Sequence, residues 1–246
     1  LSEAVYDLPG VDGSAEFDFS KTTFELGADI DLAGLEWVPP EYLDGTFDGM
    51  THTIKNLYTK EAAGYVGFFG EVAPGAVVQN LIVESATFEA KPARIDRKQV
   101  LYLGAIAGVM DGTVRRCVAR NCSLTAVPSG TTLPDTHALG GLVGTVSGGE
   151  RIVDCSVEGG SFQPETATFG TFAGKAVNDT EFIRCYVDGA LAQTSGTLTN
   201  VYAKNAEGRF VRHNTVDGTP TSETLGAGAA LNGIGWLLNG QKTEGV

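Results

Sequence analysis

The chain has 246 residues and carries 30 Asp and Glu against 17 Lys and Arg, a formal net charge of −13. That balance argues against nucleic acid as a partner, because away from any local basic patch a phosphate backbone would meet a repulsive field. Thirty-three glycines against two methionines suit many short strands joined by tight turns rather than helices, and no apolar run reaches the roughly 18 residues of a membrane-spanning helix.

Residues 1–23 read as an N-terminal cap, with no basic, apolar, small-residue leader pattern at their start. Periodicity begins at residue 24 with Phe24-Glu25-Leu26-Gly27-Ala28-Asp29-Ile30-Asp31-Leu32, then Trp37-Val38-Pro39-Pro40 and Gly45-Thr46-Phe47-Asp48-Gly49-Met50. After Ile54-Lys55-Asn56-Leu57-Tyr58, one phrase is written four times, at residues 67–70, 105–108, 141–144 and 171–174. Each copy is an apolar pair closed by glycine, as in Gly67-Phe68-Phe69-Gly70. A second apolar strand follows each, at residues 78–83, 114–119, 152–157 and 182–187, spaced 36, 38 and 30 residues apart. Periods of this size mean stacked repeats, none of which buries its apolar face alone.

Aligning the repeats gives columns. Leu81, Cys117, Cys155, Cys185 and Val201 share one, which reads as an inward stack of medium-sized apolar groups with free, buried thiols rather than disulfides or a metal site. Two residues on, Val83, Ala119, Val157 and Val187 face inward, with Ile82, Val118, Ser156 and Tyr186 between them facing out. The next outward column, Glu84, Arg120, Glu158 and Asp188, places Arg120 between carboxylates as a structural ion ladder. Ser85, Asn121, Gly159 and Gly189 then form a turn column. Like stacked on like is what parallel coils require, so the expected fold is all-β: a single-stranded right-handed parallel β-helix, with coils over residues 24–205, irregular terminal caps, and one domain over 1–246. Residues 206–246 read as the C-terminal cap and the start of a following segment, with 222–240 helical or irregular.

Insertions fall at one place in the repeat: residues 89–101, 125–138, 163–167 and 193–197. Per-repeat insertions gather on one side of a solenoid and often form its binding surface. The first carries the main local positive charge, so Arg94, Arg97 and Lys98, with Tyr102, are the candidate contacts for an acidic glycan or a protein. A catalytic reading would rest on Asp29, Asp31, Asp44 and Asp48 as clustered carboxylates. Each belongs to a turn phrase, however, where Asp bonds nearby backbone. His52, His137 and His213 lie far apart in the repeat, and no HExxH motif is present. No catalytic residue, metal or cofactor is expected.

The phrases at residues 28–32 and 45–49, the glycine-closed phrase at 67–70 with its copies, and the cysteine-bearing strands together resemble the GLUG-repeat family of bacterial exported proteins, over about residues 24–205. The run Gly235-Trp236-Leu237-Leu238-Asn239-Gly240 also resembles a segment that follows such coils in large surface proteins of gut Bacteroidetes. The resemblance implies a pectate-lyase-like β-helix, an extracellular or cell-surface location, and a role in adhesion, display or the support of a protease domain. A chain that opens on Leu1 and stops in mid-pattern at Val246 fits a processed piece of a longer protein. Two positions depart from the family pattern: Met50-Thr51 stands where Asn-Gly is usual, and Thr171 where a phrase opens on glycine. The sequence-based reading is a non-catalytic adhesion or spacer module. The alternatives are a polysaccharide lyase or hydrolase, or an accessory domain that positions a protease.

Overall fold

The computed structural model describes residues 19–127, 136–148, 150–164, 167–177, 179–193 and 195–226. Apart from one 3-10 turn at Phe19–Lys21, the regular structure among them is strand, distributed over five sheets. The chain visits the sheets in a fixed order. Phe69–Val72 lies in sheet V, Val77–Gln79 in sheet I, Ile82–Glu84 in sheet II, Thr87–Lys91 in sheet III and Lys98–Leu103 in sheet IV. Ala107–Met110 then returns to sheet V beside Phe69–Val72. Each strand pairs in parallel with its own copy one pass earlier or later, which satisfies backbone groups that would otherwise be stranded. This all-β, parallel arrangement is compatible with a β-solenoid.

The predicted columns coincide with the register. Val83 pairs with Ala119, Ala119 with Val157 and Val157 with Val187, and all four are buried. The six-residue second strands, in contrast, are not single strands. Asn80, Arg116, Asp154, Arg184 and Asn200 adopt φ of 50–54°, bending each segment between sheets I and II. The bend explains why the inward residues of one segment are Val78, Leu81 and Val83, a spacing of three and then two. Strict alternation cannot pass through a left-handed corner.

The glycine phrase has its own cause. Sheets IV and V approach each other backbone to backbone, so a Cβ on Gly144 would lie 2.5 Å from the Leu103 nitrogen, and one on Gly108 2.6 Å from that of Val66. Thr171, the departure from the pattern, is buried, and its Oγ1 accepts the amide hydrogen of Ala192 at 2.8 Å. Nearby, Gln193 imitates a further strand along the edge of sheet V. Its Oε1 accepts from the amides of Phe172 and Ala173, and its Nε2 donates to the carbonyls of Ala173 and Ser195.

The described part of the C-terminal cap is regular where an irregular cap is expected, while the helical or irregular reading of 222–240 falls, beyond residue 226, outside the described residues. Phe210–Val216 and Thr219–Thr224 form an antiparallel hairpin that extends sheet II from Val201–Lys204. Asp217 and Gly218, with φ of 49° and 75°, make its turn, an Asp-Gly pair suited to two left-handed positions. Phe210 and Leu225 pack with Val118, Tyr186 and Tyr202, so this outer face of sheet II holds a second apolar cluster. Most of the N-terminal cap (1–18) and residues 227–246, with the Trp236 segment, lie outside the described residues.

Candidate functional site

The first insertion is not an open loop. Ala93–Ile95 pairs antiparallel with Lys98–Leu103 through a two-residue turn at Asp96 and Arg97, both at positive φ. The hairpin folds back over Gly64, whose absent side chain admits it: a Cβ there would lie 3.1 Å from that of Ala93. Arg94, Arg97 and Lys98 are exposed on this hairpin. Tyr102 sits on the adjoining strand, its ring stacked on Tyr65 at 5.6 Å and 20°.

Beside the hairpin is a cleft of about 570 Å³, within the range of ligand pockets. Its origin is a gap in the repeat. The first pass contributes Thr23–Glu25 to sheet I, Ile30–Asp31 to sheet II and Tyr42–Leu43 to sheet V, but no strand to sheet III, where Glu36 makes only an isolated bridge to Tyr58, and none to sheet IV. Residues 36–41 cut across instead. Trp37 anchors this shortcut: its amide donates to the Tyr58 carbonyl, its Nε1 donates to the Phe68 carbonyl at 3.1 Å, and its ring stacks on Phe68 at 4.9 Å. Pro39 and Pro40 have no N–H to offer a ladder, and the Pro40 carbonyl accepts the amide of Gly70.

One wall of the cleft carries Trp37, Val38 and Tyr42; the other carries Ala63, Tyr65 and Ile95. Glu36, Glu41 and Glu71 bring negative charge, and Lys60 is the cation among the lining residues. Leu35, Val38 and Tyr42, on or beside the shortcut, are 61%, 65% and 55% exposed, a concentration of exposed apolar surface at one place. Partial burial, and then the neighbouring Asp111 carboxylate, raise the pKa of Glu71. Partial burial also raises the tyrosines, reinforced by Asp44 and Glu71 at Tyr42 and by Glu71 at Tyr65. None of Arg94, Arg97 and Lys98 lines the cleft, whereas Ile95 from the same hairpin does. Sequence reasoning missed the cleft because its defining feature is a strand the first pass lacks.

The other singled-out residues occupy structural positions. Arg120 donates from Nη1 to Glu84 at 3.2 Å and from Nε to Glu158 at 2.9 Å. Burial works against its charge, but the two carboxylates more than compensate and raise its pKa. Asp188 instead meets Lys204 at 2.7 Å, and the same carboxylate accepts from the Tyr186 hydroxyl. Leu81, Cys117, Cys155, Cys185 and Val201 are fully buried and the cysteines are free; burial pushes the Cys185 thiol up to about 12.

Asp29 accepts from the Thr53 amide and meets His52, and Asp31 accepts from Asn56 and the Ala33 amide. Asp48 accepts from Met50, Gln79 and Asn80; these bonds outweigh its burial and lower its pKa. Asp44 is half-buried near Tyr42. His137 pairs in register with Leu101, and His213, lowered by burial, with Val201. Among the described residues, no group of three or more His, Cys, Asp or Glu is gathered to hold a metal ion, and no helix is long and apolar enough to cross a membrane.

No family model and no solved structure matches the chain. A stretch of 160 residues is 27% identical to halomucin of Haloquadratum walsbyi. The similarity covers 58% of this chain and 2% of halomucin, so the chain spans a small fraction of the length of that relative.

Proposed function

We propose that the chain is a non-catalytic binding or spacer module of a larger exported bacterial protein, built as a right-handed parallel β-helix of the GLUG-repeat type. The handedness follows from the strong preference of parallel crossovers for right-handed connection. The observation that carries the functional reading is the placement of the first insertion hairpin beside a cleft with exposed apolar walls, both on one side of a stack of parallel strands. A stack of this kind is stiff, and it holds the first insertion as a fixed hairpin on its surface. The similarity to a short stretch of a much longer protein supports a modular role. The candidate aspartates favour this reading over a lyase or hydrolase, because Asp29, Asp31 and Asp48 each bond turn backbone and neighbouring side chains.

The test is a glycan and matrix-protein binding array on the 246-residue chain, with product release from each bound glycan followed in parallel. Binding without product is expected. New reducing ends or unsaturated sugars would overturn the non-catalytic reading and return attention to Asp29, Asp31, Asp44 and Asp48.

A further inference from the structure

The cleft occupies the place of the sheet IV strand that the first pass lacks. In a parallel ladder, alternate residues direct both backbone groups to the same edge. Tyr102 and Gly104 donate to the carbonyls of Gly64 and Val66, which turns the N–H and C=O of the intervening Tyr65 toward the cleft. An edge strand of this kind is a template for one more strand.

The surroundings specify what that strand carries. Val38, Pro39, Ala63 and Ile95 offer apolar walls suited to a methylene stem. Glu36, Glu41 and Glu71 outnumber the single Lys60, and the Asp111 carboxylate, whose Oδ1 has no hydrogen-bond partner, adds its charge near Glu71. Tyr42 and Glu71 are cross-strand neighbours, so an aromatic ring stands next to a carboxylate. Aliphatic stem, aromatic face and carboxylate together are the complement of a lysine or arginine side chain. The chain's own first 18 residues are a poor complement, since they hold five carboxylates and no Lys or Arg.

We infer that the cleft receives an extended peptide segment of a partner protein, which pairs with Tyr65 as the missing strand of sheet IV and places a Lys or Arg side chain among Glu36, Glu41 and Glu71. The inference rests on the binding-module reading and narrows it to a basic peptide. It also reverses the polarity expected from the hairpin: the recognised charge is positive, and Arg94, Arg97 and Lys98 discourage cations from the hairpin side.

The experiment uses fluorescein-labelled heptapeptides of alternating Thr and Val with Arg at two positions on one face, titrated into the 246-residue chain and read by fluorescence anisotropy. Three further probes replace Arg by Glu, replace Arg by Ala, or keep Arg and N-methylate alternate backbone amides. The Arg peptide is expected to bind at least about tenfold more tightly than the other three, and to weaken with added salt. Glu41→Gln combined with Glu71→Gln should cost about tenfold, with circular dichroism and the thermal midpoint confirming that the variant is folded. Arg94→Ala, Arg97→Ala and Lys98→Ala together should leave binding unchanged or tighter.

Equal binding of the Arg and Glu peptides, indifference to N-methylation, or loss of binding in the triple hairpin variant would overturn the inference. Neutral or amino-sugar oligosaccharides are run alongside. If they bind, lose affinity on Tyr42→Ala, and the peptides do not bind, the peptide proposal fails and the binding module stands. If neither class binds, both fail.

Discussion

The middle passes and the first pass of this chain obey different rules. Between residues 69 and 187 each pass supplies strands to the same sheets, and each apolar column continues into the next, as Val78, Val114, Ile152 and Phe182 do on the inner face of sheet I. The first pass supplies no strand to sheets III and IV, bridges the gap with Trp37 and two prolines, and leaves Leu35, Val38 and Tyr42 exposed. Where a strand has copies on both sides, its backbone groups and apolar side chains find their match within the repeat. Where a copy is missing, edges and apolar surface remain, and recognition is possible there.

The sharpest way to break the regular region is through its glycines. Gly144→Val, which places side-chain carbon against the Leu103 backbone, should cost more than about 4 kcal/mol or prevent folding, as read by urea denaturation. Gly148→Ala should be nearly silent, since a Cβ there would meet nothing nearer than Glu150 Oε1 at 3.8 Å. The next largest effect belongs to the cysteine column. Cys155→Ser buries a hydroxyl in an apolar stack and should cost about 1–3 kcal/mol. Cys155→Val, which imitates Val201 at the same position, should cost less than about 1.5 kcal/mol. The wild-type thiols should react with a water-soluble disulfide reagent only after unfolding.

In the ion ladder, Arg120→Met should cost about 1 kcal/mol at low salt and less at high salt. The second pass invites the opposite experiment. Met50 and Thr51 both sit at positive φ, 49° and 66°, in a turn closed by the His52 amide donating to the Gly49 carbonyl. Replacing them with Asn and Gly should raise stability by about 1 kcal/mol, because a β-branched residue is strained there.

The smallest effect is in the pH profile. Glu71 and Glu150 have raised folded pKa values, so their protonation favours the folded state, and the benefit disappears as pH rises through those values. Asp48 and Asp188 have lowered values, so their contribution holds above the ordinary carboxylate range and fails as pH falls through the folded values. Thermal midpoints should therefore rise slightly on mild acidification from neutrality and then drop steeply. Glu71→Gln should flatten the rise without moving the drop.

The sequence exposed periodic features well. The valine column, the position of Arg120 between Glu84 and Glu158, and the burial of the cysteines could all be read by aligning repeats, because in-register stacking turns sequence period into spatial adjacency. Features that need a residue to behave unlike its type were hidden. Arg116 and Arg184 occupy left-handed corners that composition assigns to Gly or Asn, so the corners looked like uninterrupted strands. Arg97 does the same in the first insertion, which hid a hairpin inside an apparent loop. Asp217-Gly218 was a legible turn signal, but the residues around it are too polar and exposed to advertise strands. The cleft had no signal in any single residue, since its cause is the absence of strands from one pass.

The nearest-neighbour character of the pairing also bears on mechanics. Within the parallel stack each strand is held by hydrogen bonds to the passes directly before and after it, and the passes differ in length because of their insertions. Tension that detached one end of the stack would meet a series of separate fastenings, each releasing its own length of slack while those behind it stayed shut. A stack built this way would lengthen in uneven steps under load, with the passes still paired holding through each step.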